Sequence, residues 1–297
     1  MPCPPPLADI PAEARLAEPI TFVTENGRLQ LIGVVMEPGQ HIQPGEPVTL
    51  TVYWQAAEPT AADYLSSVHL LGRAYESVGS INRHPAMGLI PTSHWQAGDI
   101  YRDDYHVYAD ETAVMPTQLL VSLSLYDLAA GKPLPALNPA GLPLDPLLVG
   151  ERAALSPESA PEIQPTLPLN IPFAEGITLR GADLPATAVA GTTIPSHFTG
   201  RPPPRPPRIT PSSCSLLDGR RQMIASADAP PVGNFYPTSL WQAGDVVDDQ
   251  HWLSVPADLP PGRYPLLIGW YEPGSGARLL RQDEAVDFIE LTLPVGK

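Results

Sequence analysis

Residues 91–99 read PTSHWQAGD, and residues 237–245 read PTSLWQAGD. Eight of the nine positions match at a separation of 146, so the chain is read as one unit written twice. Working outward, LQLIG at 29–33 answers to ITLRG at 177–181. Leu123-Ser124-Leu125-Tyr126-Asp127 answers to Ile268-Gly269-Trp270-Tyr271-Glu272. Asp103-Asp104-Tyr105-His106 is set against Asp248-Asp249-Gln250-His251. The offset drifts only between 145 and 148, as a duplicated fold with small loop changes requires.

The unit itself reads as β structure. In PVTLTVYWQ, Val48, Leu50, Val52 and Trp54 share one face of a strand, while Thr49, Thr51 and Tyr53 share the other. Leu119, Val121, Leu123 and Leu125 alternate with Leu120, Ser122, Ser124 and Tyr126, and Tyr264, Leu266, Ile268 and Trp270 repeat that face. Further strands are expected at 28–36, 64–71, 99–108 and 147–155. Glu37-Pro38-Gly39, Gln43-Pro44-Gly45, Ala97-Gly98-Asp99 and Ala130-Gly131-Lys132 supply turns. The expected fold is all-β: two tandem antiparallel, immunoglobulin-like β-sandwiches, the second irregular at 195–215. The boundaries are a Pro-rich tail at 1–18, a sandwich at 19–155, a linker at 156–168 and a sandwich at 169–297.

Composition supports this. Forty of 297 residues are proline and 23 are glycine, which disfavours long helices, while 43% apolar residues leave enough for a core in each half. Seventeen Lys and Arg against 32 Asp and Glu give a formal charge of -15. That disfavours nucleic acid and anionic membrane surfaces as partners and favours solubility. No stretch reaches the ~18 apolar residues of a membrane helix, so no membrane insertion is expected, and no basic-then-apolar leader opens the sequence. Cys3 and Cys214 lack a metal-ligand spacing and define no disulfide framework.

One stretch breaks the echo. Residues 47–72 read PVTLTVYWQAAEPTAADYLSSVHLLG, but 195–219 read PSHFTGRPPPRPPRITPSSCSLLDG. Deleting one G from CCG-GTC-ACA-CTT-TAC-TGG-CAG-GCC, which encodes PVTLYWQA, yields PSHFTGRP, the residues from Pro195 to Pro202. Read on in that frame, the segment conceals PVTLYWQAAAPPAEDYTVFLHLLDG, with one inserted base near Ser215 restoring the visible text. The alternative is a genuine polyproline II ligand motif in RPPPRPPR. Either way Pro202, Pro203, Pro204, Pro206, Pro207 and Pro211 lead to the expectation that 195–215 supplies no regular central strand. The second unit would then lack two core strands and be the less stable half.

Candidate sites are few. Asp104 with His106, and Asp249 with His251, offer hard oxygens and imidazoles to a metal, or else form a polar strand edge. Trp95 and Trp241, with Tyr101 and Tyr236 nearby, either stack on sugar rings at an exposed face or pack into the sandwich core. There is no G-x-S-x-G, phosphate loop or GxGxxG, and no cofactor or catalytic set is expected.

The succession LxLxG, PVTLxVYWQA, a strand ending HLL and then PTSxWQAGD resembles a β-sandwich repeat. Such repeats form the tandem C-terminal tails of large bacterial membrane glycosyltransferases of the protein mannosyltransferase-like class. The resemblance covers about 19–155 and 169–295 and implies an extracytoplasmic, non-catalytic accessory module near cell-envelope glycan synthesis. It also implies that the chain is a detached piece of a longer protein, with a glycan or an envelope protein as its partner. A stand-alone carbohydrate-binding or glycoside-acting protein, and a purely structural spacer, are the other readings.

Overall fold

The computed structural model describes residues 5–36, 41–201 and 212–296, Arg201 by its backbone. Cys3, the turn at 37–39 and the run from Pro202 to Pro211 lie outside the described residues. The chain divides into two compact units, Met1–Ser156 and Pro157–Lys297.

The first unit holds β1 (Arg15–Thr24), β2 (Gly27–Val35), β3 (His41–Ile42), β4 (Pro47–Glu58), β5 (Tyr64–Leu71), β6 (Ser77–Arg83), β7 (Ile100–Tyr108), β8 (Thr117–Asp127), β9 (Lys132–Pro133), β10 (Ala136–Leu137) and β11 (Leu148–Leu155). One sheet runs β10-β1-β2-β4-β7; the other runs β3-β11-β8-β5-β6, with β9 on β8. The second unit holds β12 (Leu167–Pro172), β13 (Thr178–Asp183), β14 (Ala188–Val189), β15 (Thr193–Arg201), β16 (Ser212–Leu217), β17 (Met223–Ser226), β18 (Val247–Ser254), β19 (Gly262–Trp270) and β20 (Ile289–Gly296). Its sheets run β12-β13-β15-β18 and β14-β20-β19-β16-β17. The fold is all-β, built of β-sandwiches, and no helix among the described residues is long and apolar enough to cross a membrane.

The alternation read from the sequence is what the strands use. Val48, Leu50, Val52 and Trp54 on β4 and Leu119, Val121, Leu123 and Leu125 on β8 are buried in one core. Each such side chain contributes about 1.5–3 kcal/mol.

The LxLxG glycines have a steric reason. A Cβ on Gly33 would lie 2.7 Å from Ile10 Cδ1 and 2.9 Å from the Ala14 carbonyl oxygen. A Cβ on Gly181 would lie 2.2 Å from Pro165 Cγ. In both units the incoming chain crosses directly over this glycine. That corrects two boundaries. The tail expected at 1–18 becomes strand from Arg15, and Ile10 and Ala14 are buried against Ile32, Tyr53 and Ile100. The linker expected at 156–168 gives way to β12 at Leu167.

The expectation for 195–215 is also overturned. β15 is a central strand, paired to β13 on one side and β18 on the other, and β16 pairs with both β17 and β19. The prolines cluster at 202–211, beyond β15. Within it only Pro195 occurs, and β13 pairs no further than His197, so Pro195 interrupts no ladder on that side. Ile194, Ser196 and Phe198 are buried while Pro195 is exposed, so the period of two survives.

One large core side chain changes sheets between the two units. Gly200 stands opposite Leu179 where Trp54 stands opposite Leu31. Trp270 then fills the second core from the facing sheet, at the place Leu125 holds in the first. Trp54 meets Phe22 edge-on with ring centroids 5.7 Å apart, and Trp270 meets Phe173 at 4.8 Å.

Candidate functional site

The repeated motif builds an inward-facing corner. A short 3-10 turn at Thr92–His94, matched at Thr238–Leu240, delivers Trp95 and Trp241 into the units, 1% and 2% exposed. Trp95 Nε1 donates to the Ile90 carbonyl (3.1 Å) and Trp241 Nε1 to the Tyr236 carbonyl (2.8 Å). The closing turn needs left-handed backbone at Gly98 (φ 92°) and Gly244 (φ 103°). Its aspartate accepts the N–H three residues back: Gln96 to Asp99 and Gln242 to Asp245, both 2.8 Å. Tyr101 and Tyr236 occupy non-equivalent positions, yet their hydroxyls reach that same carboxylate, at 3.4 and 2.6 Å. Both tyrosines are buried. The exposed aromatic platform weighed for these four residues is therefore corrected: the rings are consumed by packing, where their area stabilises most.

The acidic run is corrected in register. Trp95 and Trp241 fix the offset at 146, which sets Asp103 against Asp249 and Tyr105 against His251. Burial agrees, since Asp103 and Tyr105 are 0% exposed, Asp249 4% and His251 2%. Asp104 and His106 point to the outer face instead and line a shallow groove of about 380 Å³. Burial alone would raise the Asp104 carboxyl, but hydrogen bonds from Thr51 (2.6 Å) and Arg102 (2.8 Å) outweigh it and hold it below the usual range. The two proposed metal pairs thus face opposite ways, one outward and one inward. Among the described residues no three His, Cys, Asp or Glu side chains converge as a metal site.

The inward aspartates hold strained backbone. Ala86, Met87 and Gly88 are all left-handed (φ 57°, 55° and 71°), as are Val232, Gly233 and Asn234 (φ 55°, 62° and 72°). Asp103 accepts the N–H of Ala86 (3.0 Å) and of Met87 (2.6 Å); Asp249 accepts that of Val232 (2.8 Å). A buried carboxylate also needs a cation, and here the copies differ. In the first unit Arg83 supplies it, 3.3 Å from Asp103 and stacked 4.1 Å over the Tyr105 ring. The Tyr105 hydroxyl meets Ser66 at 2.6 Å, and burial, with the Asp103 charge, pushes the phenol up to about 12. In the second unit Ala229 takes the place of Arg83, and His251 takes the place of Tyr105.

His251 is therefore the group placed to balance Asp249 when it is protonated. Its Nδ1 faces the Ala227 carbonyl, and its Nε2 faces Asp249 at 3.0 Å and Ser212 at 2.9 Å, so two acceptors flank the ring. Burial alone would lower its pKa, but the hydrogen bond and charge of Asp249, the Ala227 carbonyl and Asp228 outweigh burial and raise it above 6.5. A raised folded-state pKa gives stability that is fully present below about pH 6.5 and lost as the pH climbs through the folded value. Between pH 6 and 9 the melting temperature of the second unit should fall. Calorimetry on His251→Gln should show that decline removed; a flat or rising wild-type profile would contradict the assignment. Ser212, His251 and Asp249 are not a nucleophile relay, because serine and aspartate share one ring nitrogen and all three are buried. Cys214, two residues along β16, is likewise interior, and burial pushes its thiol up to about 12.

The open site lies elsewhere, in the first unit. The outer face of β5 and β8 pairs Ser67 with Ser124 and His69 with Ser122. With Tyr126, these floor a cleft of about 480 Å³, walled by residues 133–136 and 143–147, including Asp145. Leu123 N donates to the Leu147 carbonyl at 3.0 Å and fastens the wall to the floor. His69 is fixed at both nitrogens, by Ser67 Oγ (2.9 Å) and Ser77 Oγ (2.8 Å). None of these residues stood out in the sequence, because each is an ordinary outward position of an alternating strand.

In the second unit the matching place is filled. Ser213 pairs with Gly269, as Ser67 does with Ser124. Arg278 Nη2 donates to Ser213 Oγ at 2.9 Å, and its Nε lies 3.5 Å from Asp287. A Cβ on Gly269 would sit 2.7 Å from that guanidinium. No family model matches the chain, and no curated protein matches it.

Proposed function

We propose that the chain is a non-catalytic accessory module that binds through the cleft on β5 and β8, outside the cytoplasm and near cell-envelope glycan synthesis. The observation that carries this reading is the contrast between copies: one leaves open a cleft of about 480 Å³, mostly apolar in its wall with serine, histidine and tyrosine on its floor, and the other fills the same place with its own arginine. The repeated motif, by contrast, spends its aromatic and acidic groups inside the fold. The resemblance to glycosyltransferase tail repeats supports the setting. A two-carboxylate hydrolase is less well supported, since that chemistry uses a facing pair about 5–10 Å apart and Asp145 is the one carboxylate lining this cleft among the described residues.

The test is to probe a glycan array and a peptide array with the chain and with Ser124→Trp, which fills the cleft. Binding that disappears in the variant at an unchanged melting temperature is the expected result. Binding that persists in the variant, or none on either array, overturns the reading.

A further inference from the structure

The second unit shows what the cleft of the first is shaped to hold. Seven positions correspond between the copies. Ser67 and Ser124 match Ser213 and Gly269, and Tyr126 matches Tyr271. Tyr126 pairs with Pro133, whereas Tyr271 pairs with Arg278. Leu123 is bonded to Leu147, and Ile268 pairs with Ile289; two residues before each partner stands an aspartate, Asp145 or Asp287. The serine hydroxyl and the carboxylate that hold the Arg278 guanidinium are therefore both present in the first unit. The arginine is not: proline occupies its position, and Ser124 adds a hydroxyl where glycine made room.

Resting on the cleft reading above, we propose that the cleft on β5 and β8 binds a guanidinium group, the ligand counterpart of Arg278, with Asp145 and the Ser67 hydroxyl as its acceptors. A guanidinium is planar and offers several N–H donors in a fixed fork, which suits a serine oxygen and a carboxylate converging from floor and wall. Asp145 is exposed and ready to pair. The chain's formal charge of -15 draws cations towards it. Tyr126 lies at the cleft floor, where its ring can stack with the guanidinium plane.

The probes are agmatine, an acetylated arginine-containing peptide and the same peptide with citrulline, titrated into the whole chain by calorimetry. Agmatine should bind with a dissociation constant on the order of 1 mM, the range of a small ligand making one ion pair. Citrulline, which keeps the shape but loses the charge, should bind at least about tenfold more weakly. Tighter binding of the arginine peptide than of agmatine identifies a partner polypeptide as the source; the reverse order identifies a free small guanidine. Pro133→Arg should place an internal guanidinium in the cleft and abolish binding, and Asp145→Asn should weaken it roughly fivefold. Because Asp145→Asn changes only an exposed group, it serves if Pro133→Arg does not fold. Equal binding of the arginine and citrulline peptides, or wild-type affinity in both variants, overturns the guanidinium assignment. If an uncharged array ligand binds and Ser124→Trp abolishes it, the cleft stands and only its ligand class falls. If nothing binds, both fall.

Discussion

Replacing Asp103 by alanine should lower the stability of the first unit by about 3–5 kcal/mol, the cost of breaking a buried ion pair from one side. The carboxylate is 0% exposed and holds three groups at once: the Ala86 N–H, the Met87 N–H and the Arg83 guanidinium. Without it two backbone donors lose their acceptor, at about 1–3 kcal/mol each. Two non-glycine residues would also remain left-handed with nothing to hold them, although that conformation costs about 1–2 kcal/mol per residue. Burial pushes the Asp103 carboxyl up, against the pull of the Met87 N–H, Arg83 and the Ala86 N–H. Urea unfolding followed by circular dichroism measures the loss. Asp103→Asn keeps one acceptor oxygen and should fall between wild type and alanine. A loss below about 1 kcal/mol, the size of an ordinary single hydrogen bond, would mean that the turn holds itself.

Trp95→Ala and Trp241→Ala should each cost about 3–5 kcal/mol in their own units, the range for truncating a buried large aromatic. Each ring is almost fully enclosed, and each indole N–H closes the turn that precedes it. Phenylalanine at either position keeps much of the packing but leaves the Ile90 or Tyr236 carbonyl without its donor, so about half of the loss should return. Melting curves distinguish this from a surface role. An exposed stacking platform would lose ligand binding on truncation with little change in stability.

Much of the fold was legible because a strand writes its two faces into alternate residues. Val48 to Trp54 and Leu119 to Leu125 are buried as that pitch dictates. The 195–215 stretch is deceptive because its proline content, averaged over the whole window, hides where the prolines fall. They crowd 202–211, while Ile194, Ser196 and Phe198 keep the alternation in β15. The acidic runs are deceptive because matching by residue type, aspartate on aspartate and histidine on histidine, gives a register different from the one the tryptophans set. Carrying the tryptophan offset forward would have set Tyr105 against His251 and exposed the exchange of cations. The cleft was not legible, since its floor, wall and missing arginine are brought together only by pairing between β5, β8 and the 133–147 segment. The one available signal was the recurrence of Ser67 as Ser213 and of Asp145 as Asp287, without a partner for Arg278.

The claim on which these points depend is that both units are copies of one sandwich. In each, the same buried carboxylate holds the same turn, and only the balancing cation has moved. The most direct measurement is the stability of Arg83→Ala, Tyr105→His and the double variant across pH 6 to 9. The double variant rewrites the first unit's corner as the second's. It should recover a large part of the loss seen in Arg83→Ala at pH 6 and surrender that recovery as the pH rises. Strict additivity of the two losses, with no pH dependence, would contradict the account.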